Sequence, residues 1–429
     1  MNHEVKVAAA FFDTVLKTER STEADLNAHQ GNLLTLLVQH AFANAPFYKD
    51  RVRPNAPFDA NSDFWRSQPF ISRRDLTGRN DDLRARKFSI ELGPISPIQT
   101  GGSTGPAARR DLSSLESLAQ LVCSYRMFVA WELDQSKTFY VIRKQRQNPG
   151  TSFDRWGHPW LPKEALGLRR RLDIFLPAAE QLKLLAQEAP VYVNTLPSNI
   201  LRLAVEARRS GVAPQIPFIV SVAEYLPVEV IEAAREVFGS RIINVLSSAE
   251  GGVIATECPE SGLFHIQGEQ VLAEIVREDG SVCEAGEVGE LVVTPLYSYA
   301  TPLLRYRSGD YVEKGPKCSC GRSLPTISRI LGRNEHMFHF PDGTRKLPPV
   351  NRVKITEVVG HDSWVLVQTG PARAELRVGS SLPDEARVPL LELATLPLGN
   401  NFKVEIKRVD SLPPTSGGKR HFTLNSFNA

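Results

Sequence analysis

Long apolar runs are missing from this chain of 429 residues. No window of about 18 consecutive apolar residues exists, so a membrane-spanning helix is not expected. A one-sided charge is missing too. The 51 basic and 48 acidic residues leave +3, too small an excess over this length to mark a nucleic-acid or membrane surface. The run Arg169-Arg170-Arg171 therefore reads as a solvated face. Cysteine is scarce, and five residues in a chain this long build no disulfide framework. The opening stretch MNHEVKVAAAFFDTVLK holds Glu4 and Asp13. It lacks a basic leader, a long apolar segment and a small-residue cleavage site, so no secretion signal is expected and the cytoplasm is the expected location. Repeats and low-complexity segments are absent as well.

What is present is ordinary globular composition, 42% apolar and 23% charged, with length for two to four domains. Ser21 to Ala45 reads as a helix with Leu33, Leu34, Leu36, Leu37 and Ala41 on an apolar face, ended by Pro46. Arg53 to Ser62 reads as a loop. The middle of the chain alternates strand and helix. Val191-Tyr192-Val193 is a short strand, and Ser198 caps a helix that Gly211 terminates. Ile216 to Val222 is a second strand, followed by a helix from Pro227 to Phe238 that stops at Gly239. Arg241 to Leu246 is a third. Such alternation implies a parallel sheet with right-handed crossovers, whose ligands gather beyond the carboxyl ends of the strands. Those ends carry Ala223-Glu224 and Ser247-Ser248-Ala249-Glu250.

From about Val271 the pattern becomes antiparallel, with a turn at Asp279-Gly280 and a strand following Gly289. A boundary is expected near Gly332 to Glu335. Beyond it come a hairpin turned by Asp342-Gly343, a strand at Trp364 to Val367, a short helix from Pro389 to Thr395, and a last strand from Phe402 to Ile406.

Four segments carry chemistry. Thr100-Gly101-Gly102-Ser103-Thr104-Gly105 is a loop whose backbone N–H groups and hydroxyls can converge on phosphate oxygens, although Pro106 and Ala107 replace the lysine of a P-loop. Alone it is equally a flexible turn. Glu250, just past a central strand, can hold magnesium, a hard cation that takes oxygen ligands. Asp310 in Leu304-Arg305-Tyr306-Arg307-Ser308-Gly309-Asp310 can accept both hydroxyls of a ribose. Pro413-Pro414-Thr415-Ser416-Gly417-Gly418-Lys419-Arg420 can present a lysine on a Gly-Gly loop. Cys318 and Cys320 form a Cys-x-Cys pair, which in a reducing compartment suggests metal or redox chemistry.

Taken in this order, the segments resemble the AMP-forming adenylating superfamily of acyl-CoA synthetases. Within it they resemble the phenylacetate-CoA ligase family with its capsule-biosynthesis-type relatives. Ala43-Asn44-Ala45-Pro46-Phe47-Tyr48 and Phe70-Ile71-Ser72-Arg73-Arg74-Asp75-Leu76 share in the likeness. Its most specific stretch is Gly289 to Arg333, where GELVVTPL, TPLLRYRSGD, CSCGR and ISRILGR fall in family order.

The resemblance implies an α/β fold: a large adenylating domain over residues 1–332, with parallel sheets and a β-barrel-like part, and a small mobile α+β lid over residues 333–429. It implies an ATP-dependent carboxylic acid ligase that forms an acyl- or aryl-adenylate and passes the acyl group to a thiol, coenzyme A first among the candidates. Thr100, Gly101, Gly102, Ser103, Thr104 and Gly105 would then hold the β- and γ-phosphates. Glu250 would place magnesium, Asp310 and Arg333 would serve the ribose, and Ala223 and Glu224 would lie near adenine. Lys419 would reach in from the small domain to the carboxylate and the α-phosphate. Gly332-Arg333-Asn334-Glu335 matches the family hinge, with Glu in place of the usual Asp. The family's Cys…His and Cys-x-Cys pattern falls on Cys258, His265, Cys318 and Cys320, a closed set that favours structural zinc. Expected partners are a small-molecule carboxylic acid, ATP and an acyl acceptor, with a homodimer allowed and neither nucleic acid nor membrane.

The sequence departs from the family pattern at Pro106 and Ala107, where Arg109 or Arg110 stands in for the missing cation. Leu246 replaces an aromatic residue near adenine, and Ala249 replaces a hydroxyl. Thr138 to Trp160, with Arg143, Lys144, Arg146, Arg155 and Trp156, resembles the family least; it is either an acyl pocket or nucleophile channel, or a solvated excursion. His158 reads as structural. Two other outcomes stand beside the thioester: transfer to an amine or carrier protein, and a degenerate nucleotide-binding scaffold. A zinc-stapled interaction module is a third, but it has no need of Glu250, Asp310, Arg333 and Lys419.

Overall fold

The structure is a computed structural model that describes residues 3–51, 58–99, 108–145, 152–360, 363–380, 382–399 and 401–427. Two compact units share the chain. One comprises Met1–Gln135, Gly157–Leu166 and Val245–Ile330, the other Ser136–Trp156, Gly167–Asn244 and Leu331–Ala429. Among the described residues no helix is long and apolar enough to cross a membrane.

The first unit opens with the helices His3–Thr18 and Glu23–Asn44. Thr22 starts the second through a capping box, its hydroxyl accepting from Asp25 N–H while Asp25 accepts from Thr22 N–H. Leu34, Leu37, Val38 and Ala41 are fully buried, whereas Leu36 is 55% exposed. Expecting Leu36 on the buried face was wrong, because the 3.6-residue period turns position 36 outward. Pro46 ends the helix as expected and begins a short 3-10 turn. The rest of the unit is largely antiparallel, running Val271–Val276, Val288–Pro295, Tyr306–Lys314, Thr326–Arg333, Phe264–Ile266, Gly252–Glu257 and then the second half of Arg241–Ser248.

The second unit is built on parallel strands in the order Leu168–Asp173, Phe139–Arg143, Tyr192–Thr195, Phe218–Val222 and the first half of Arg241–Ser248. The helices Ala178–Glu188, Pro197–Ser210 and Val228–Phe238 make the crossovers, the last two ending on left-handed Gly211 and Gly239. The sequence placed both stops correctly. It misread one start: Leu196, not Ser198, is the N-cap, and Ser198 lies inside the first turn. Proline at the first helical position, with its φ already helical, moves the start upstream.

The C-terminal segment of this unit carries a four-stranded sheet in the order Lys403–Val409, Arg373–Gly379, Trp364–Gly370, Thr423–Asn425. The last strand expected at Phe402 to Ile406 is therefore not the last. Thr423–Asn425 follows it and pairs in parallel with Trp364–Gly370. Three residues whose pairing depends on a distant strand leave no local periodicity to read. The helix expected at Pro389 begins earlier, as Arg387–Thr395. One hydrophobic core joins the two parts of this unit, with Ile200, Leu201, Val230 and Phe238 in the same cluster as Val353, Val359, Leu366 and Leu390. Ion pairs flank it, Arg352 with Glu229 at 2.9 Å and Arg208 with both Glu236 and Glu357.

Candidate active site and metal centre

In the second unit, the segment after Phe218–Val222 turns sharply through Ala223, whose φ of 69° is left-handed. A non-glycine residue held there stores backbone strain, a feature that clusters at ligand sites. Next in the chain, Glu224 turns its carboxylate onto the start of Pro197–Ser210. Ser198 N–H donates to Oε2 at 2.8 Å and Ser198 Oγ donates to Oε1 at 3.0 Å. This is the helix-terminus preference for anions, and it explains why Ser198 is not a cap. Burial raises the Glu224 carboxyl, opposed by the Ser198 hydrogen bonds and the charge of Lys419. Burial likewise lowers the nearby Arg143 guanidinium to about 10, with Glu224 working against that shift; Arg143 also donates to Asn194 Oδ1 at 3.2 Å.

The lysine loop sits in the same place. Thr415 to Lys419 closes on itself, Gly418 N–H donating to Thr415 O and Thr415 N–H to Lys419 O. Lys419 N–H donates to Thr415 Oγ1 at 3.1 Å. Gly418 has φ 82°, and a Cβ there would stand 2.5 Å from Ile174 Cγ2. Only glycine lets the backbone approach so closely. Arg420 N–H then donates to Glu224 Oε1 at 3.2 Å. Two sequence-predicted residues, Glu224 and Lys419, thus meet at the carboxyl ends of the parallel strands, where such sheets take ligands. Arg333, which belongs to this unit, is the last residue of the strand Thr326–Arg333 and follows Gly332 at φ 100°.

In the first unit Glu250 is buried just beyond Arg241–Ser248, and the Tyr306 hydroxyl donates to its Oε1 at 3.2 Å. Asp310 owes its placement to a bulge. The ladder pairs Glu290 with Tyr311 and Val292 with Arg307, so Leu291 alone faces Ser308, Gly309 and Asp310. Gly309 takes φ 76°, Ser308 Oγ donates to Leu291 O, and Asp310 N–H donates to Ser308 Oγ. A bulge lifts a side chain out of the strand's alternation, a common device beside active sites. Arg305, in the same motif, is structural. It is buried, pairs in bidentate fashion with Glu274 at 3.1 and 3.0 Å, and lies over the Phe70 ring.

The predicted metal ligands converge. The donor atoms of Cys258, His265, Cys318 and Cys320 all lie within 4.8 Å of one another. Cys258 follows Gly252–Glu257 and His265 centres Phe264–Ile266, where it is paired on both sides, with Thr256 and Thr326. A tetrahedral zinc with Zn–S of about 2.3 Å and Zn–N of about 2.05 Å requires S···S edges near 3.8 Å and S···N edges near 3.5 Å. Cys258 and Cys318 Sγ are 3.9 Å apart, and Cys320 Sγ is 3.3 Å from His265 Nε2. The chemistry fits as well. Burial, with the Arg322 and Arg126 charges, holds His265 neutral down to about 4. Burial raises the Cys258 thiol, yet hydrogen bonds from Ser261 and Glu260 outweigh it and lower the net value. The Arg322 guanidinium donates to Cys320 Sγ at 3.5 Å.

Thr100, Gly101, Gly102, Ser103, Thr104 and Gly105 lie outside the described residues, as do Pro106, Ala107 and Arg146. Of the two arginines offered as the missing cation, Arg110 is buried and paired with Glu116, while Arg109 is exposed. Leu246 is buried in the core cluster of the first unit, so it presents no face to a nucleotide. His158 is structural, as read: it stacks on Trp160 with ring centroids 4.8 Å apart. Arg169 and Arg171 pair with Asp154, and Arg170 with Glu188. Nothing local in the chain marked Ser198 or Ile174 as neighbours of Glu224 and Lys419. Tyr306 stood inside a quoted motif, but its partner Glu250 is 56 residues away.

No protein-family model matches the chain. Curated relatives do. The phenylacetate-coenzyme A ligase of Aromatoleum evansii is 30% identical over 335 residues, 75% of this chain and 73% of that protein. This chain belongs to the phenylacetate-coenzyme A ligase family. Another phenylacetate-coenzyme A ligase, from Thermus thermophilus, is 33% identical over 214 residues; that match spans 47% of this chain and about half (48%) of the relative. Among solved structures, 2-hydroxyisobutyryl-CoA ligase in complex with 2-HIB-AMP superposes with a TM-score of 0.71. It covers 96% of this chain and 91% of that one at 16% identity, which shows that this chain shares that ligase's fold.

Proposed function

We propose that the protein is an ATP-dependent, AMP-forming carboxylic acid ligase. A carboxylate oxygen attacks the α-phosphorus of ATP, pyrophosphate leaves, and an acyl-adenylate results. A thiolate, coenzyme A by analogy with the named activity of its relatives, then attacks the acyl carbon and AMP leaves. The observation that carries this reading is the seating of the Lys419 loop at the carboxyl ends of the parallel strands, beside Glu224. An ammonium fixed there is suited to the charge that accumulates as carboxylate and α-phosphate meet.

In this reading Lys419 is the catalytic cation, Asp310 and Arg333 serve the ribose, and residues 100–105 serve the phosphates. Glu250, steadied by Tyr306, holds magnesium, which supplies charge neutralisation on the triphosphate. The functional division falls at residues 1–332 and 333–429, with the hinge at Gly332 to Glu335. Cys258, His265, Cys318 and Cys320 hold zinc, which cross-links the 258–265 segment to the 318–320 segment and has no open position for chemistry. The direct test is acid-dependent pyrophosphate exchange over a panel of aromatic and aliphatic carboxylic acids. Exchange with at least one acid is expected. No exchange with any, together with no binding of ATP, would refute the ligase and favour a non-catalytic scaffold.

A further inference from the structure

Glu224 has more to do than its place near adenine implies, because the protein itself occupies its carboxylate. Oε2 takes Ser198 N–H, while Oε1 takes both Ser198 Oγ–H and Arg420 N–H. Ser198 sits in the first turn of a buried helix, so this carboxylate is a fixed post. The group it holds, Arg420 N–H, is adjacent in the chain to Lys419. On the other side of the loop tip, Gly418 closes directly onto Ile174 at the end of Leu168–Asp173. The loop is therefore pinned at two points, by a charge-assisted hydrogen bond and by a contact that no side chain tolerates.

We propose that Glu224 is the positioning residue of Lys419. Its carboxylate holds the Thr415–Lys419 loop down on the parallel sheet, and the adenylation half-reaction depends on that hold. The inference rests on the ligase reading for its kinetic consequence but not for its structural one. Donors stand at both ends of the carboxylate, Ser198 N–H at one oxygen and Arg420 N–H at the other. A glutamine offers only one acceptor atom and must turn its amide hydrogens toward one of those donors. Glu224→Gln therefore removes the negative charge and one of these hydrogen bonds, weakening the charge-assisted hold on the loop while keeping the size of the side chain.

The test combines two variants and two measurements. Glu224→Gln is expected to lower kcat of acid-dependent pyrophosphate exchange about 10- to 100-fold, the loss of one hydrogen bond to a charged group. KM for ATP and for the acid should stay within about twofold, and thioester formation from supplied acyl-adenylate should fall at least about tenfold less than exchange does. Gly418→Ala should give the same pattern through Ile174, and the double variant should be no worse than the poorer single one, since both release the same loop. Hydrogen exchange of the peptide covering residues 413–420 should quicken in each variant without change elsewhere. Wild-type exchange kinetics in Glu224→Gln would overturn the proposal. So would a raised KM for ATP at unchanged kcat, which makes Glu224 a nucleotide ligand, or an equal loss in both half-reactions. If the wild-type protein supports exchange with none of the acids and binds no ATP, the ligase reading fails. The anchor is then decided by hydrogen exchange alone: an unchanged 413–420 peptide in Glu224→Gln overturns it.

Discussion

Replacing Cys318 by serine tests the metal centre most sharply. Its Sγ is buried, 3.9 Å from Cys258 Sγ and 3.1 Å from Ser261 Oγ, and it belongs to a set of four donor atoms that lie within 4.8 Å of one another. Without an ion, such a set packs thiols and an imidazole against one another, with the Arg322 guanidinium donating to Cys320 Sγ. One zinc per chain is therefore expected in native mass spectrometry of the wild-type protein, and none in Cys318→Ser. An ion held at 100 times its dissociation constant contributes about 2.7 kcal/mol. For a cooperative unit of roughly 200 residues that is a Tm difference of roughly 5–10 °C. Differential scanning calorimetry with and without a strong chelator reads it: chelation should lower the wild-type Tm by that amount and leave Cys318→Ser unmoved. A wild-type protein that carries no metal, or whose Tm is the same with chelator and with added zinc, refutes the assignment.

Lys419→Ala should cost roughly 10²–10³ in the rate of pyrophosphate exchange, by analogy with loss of one preorganised donor, while circular dichroism stays that of the wild type. Arg305→Met should destabilise by about 3–5 kcal/mol in urea unfolding, because it strands the buried Glu274 carboxylate; Arg305→Met with Glu274→Gln should recover most of the loss. His421 is held down to about 4, first by burial and then by His336, on which it stacks with centroids 4.9 Å apart. Its folded-state value lies below the unfolded 6.5, so its contribution is complete above pH 6.5 and is lost as pH falls toward 4. Urea titrations at pH 7.5 and pH 5 should differ by about 2 kcal/mol from this residue, and His421→Asn should remove that part of the slope.

Legibility in the sequence followed the range of the interaction concerned. Gly211 and Gly239 were readable as helix stops because a left-handed cap is a property of one residue. The Cys-x-Cys pair was readable as metal or redox chemistry, and only the resemblance supplied Cys258 and His265 as its partners. Ser198 was misread for the opposite reason. A serine before an apolar helix is an ordinary cap, and nothing local says that a carboxylate 26 residues later will take its N–H. Leu246 looked like a lost aromatic at a nucleotide site, yet the strand's alternation turns it into the core. Arg110 looked like a spare cation until burial tied it to Glu116.

The sequence by itself determined the family likeness, the parallel middle and antiparallel later segments, and which charged and sulfur-bearing side chains are candidates for a site. These are matters of residue type, spacing and period, which survive without coordinates. Tertiary structure alone decided how each of those charges is held. Glu224 is bound by a helix start and a distant loop, Arg305 is closed over by Glu274, and Asp310 is lifted out by a bulge. For Glu224 and Arg305 the deciding partner lies far along the chain, and burial is what fixes the choice. Away from water, a charged group must take the partner the fold brings to it.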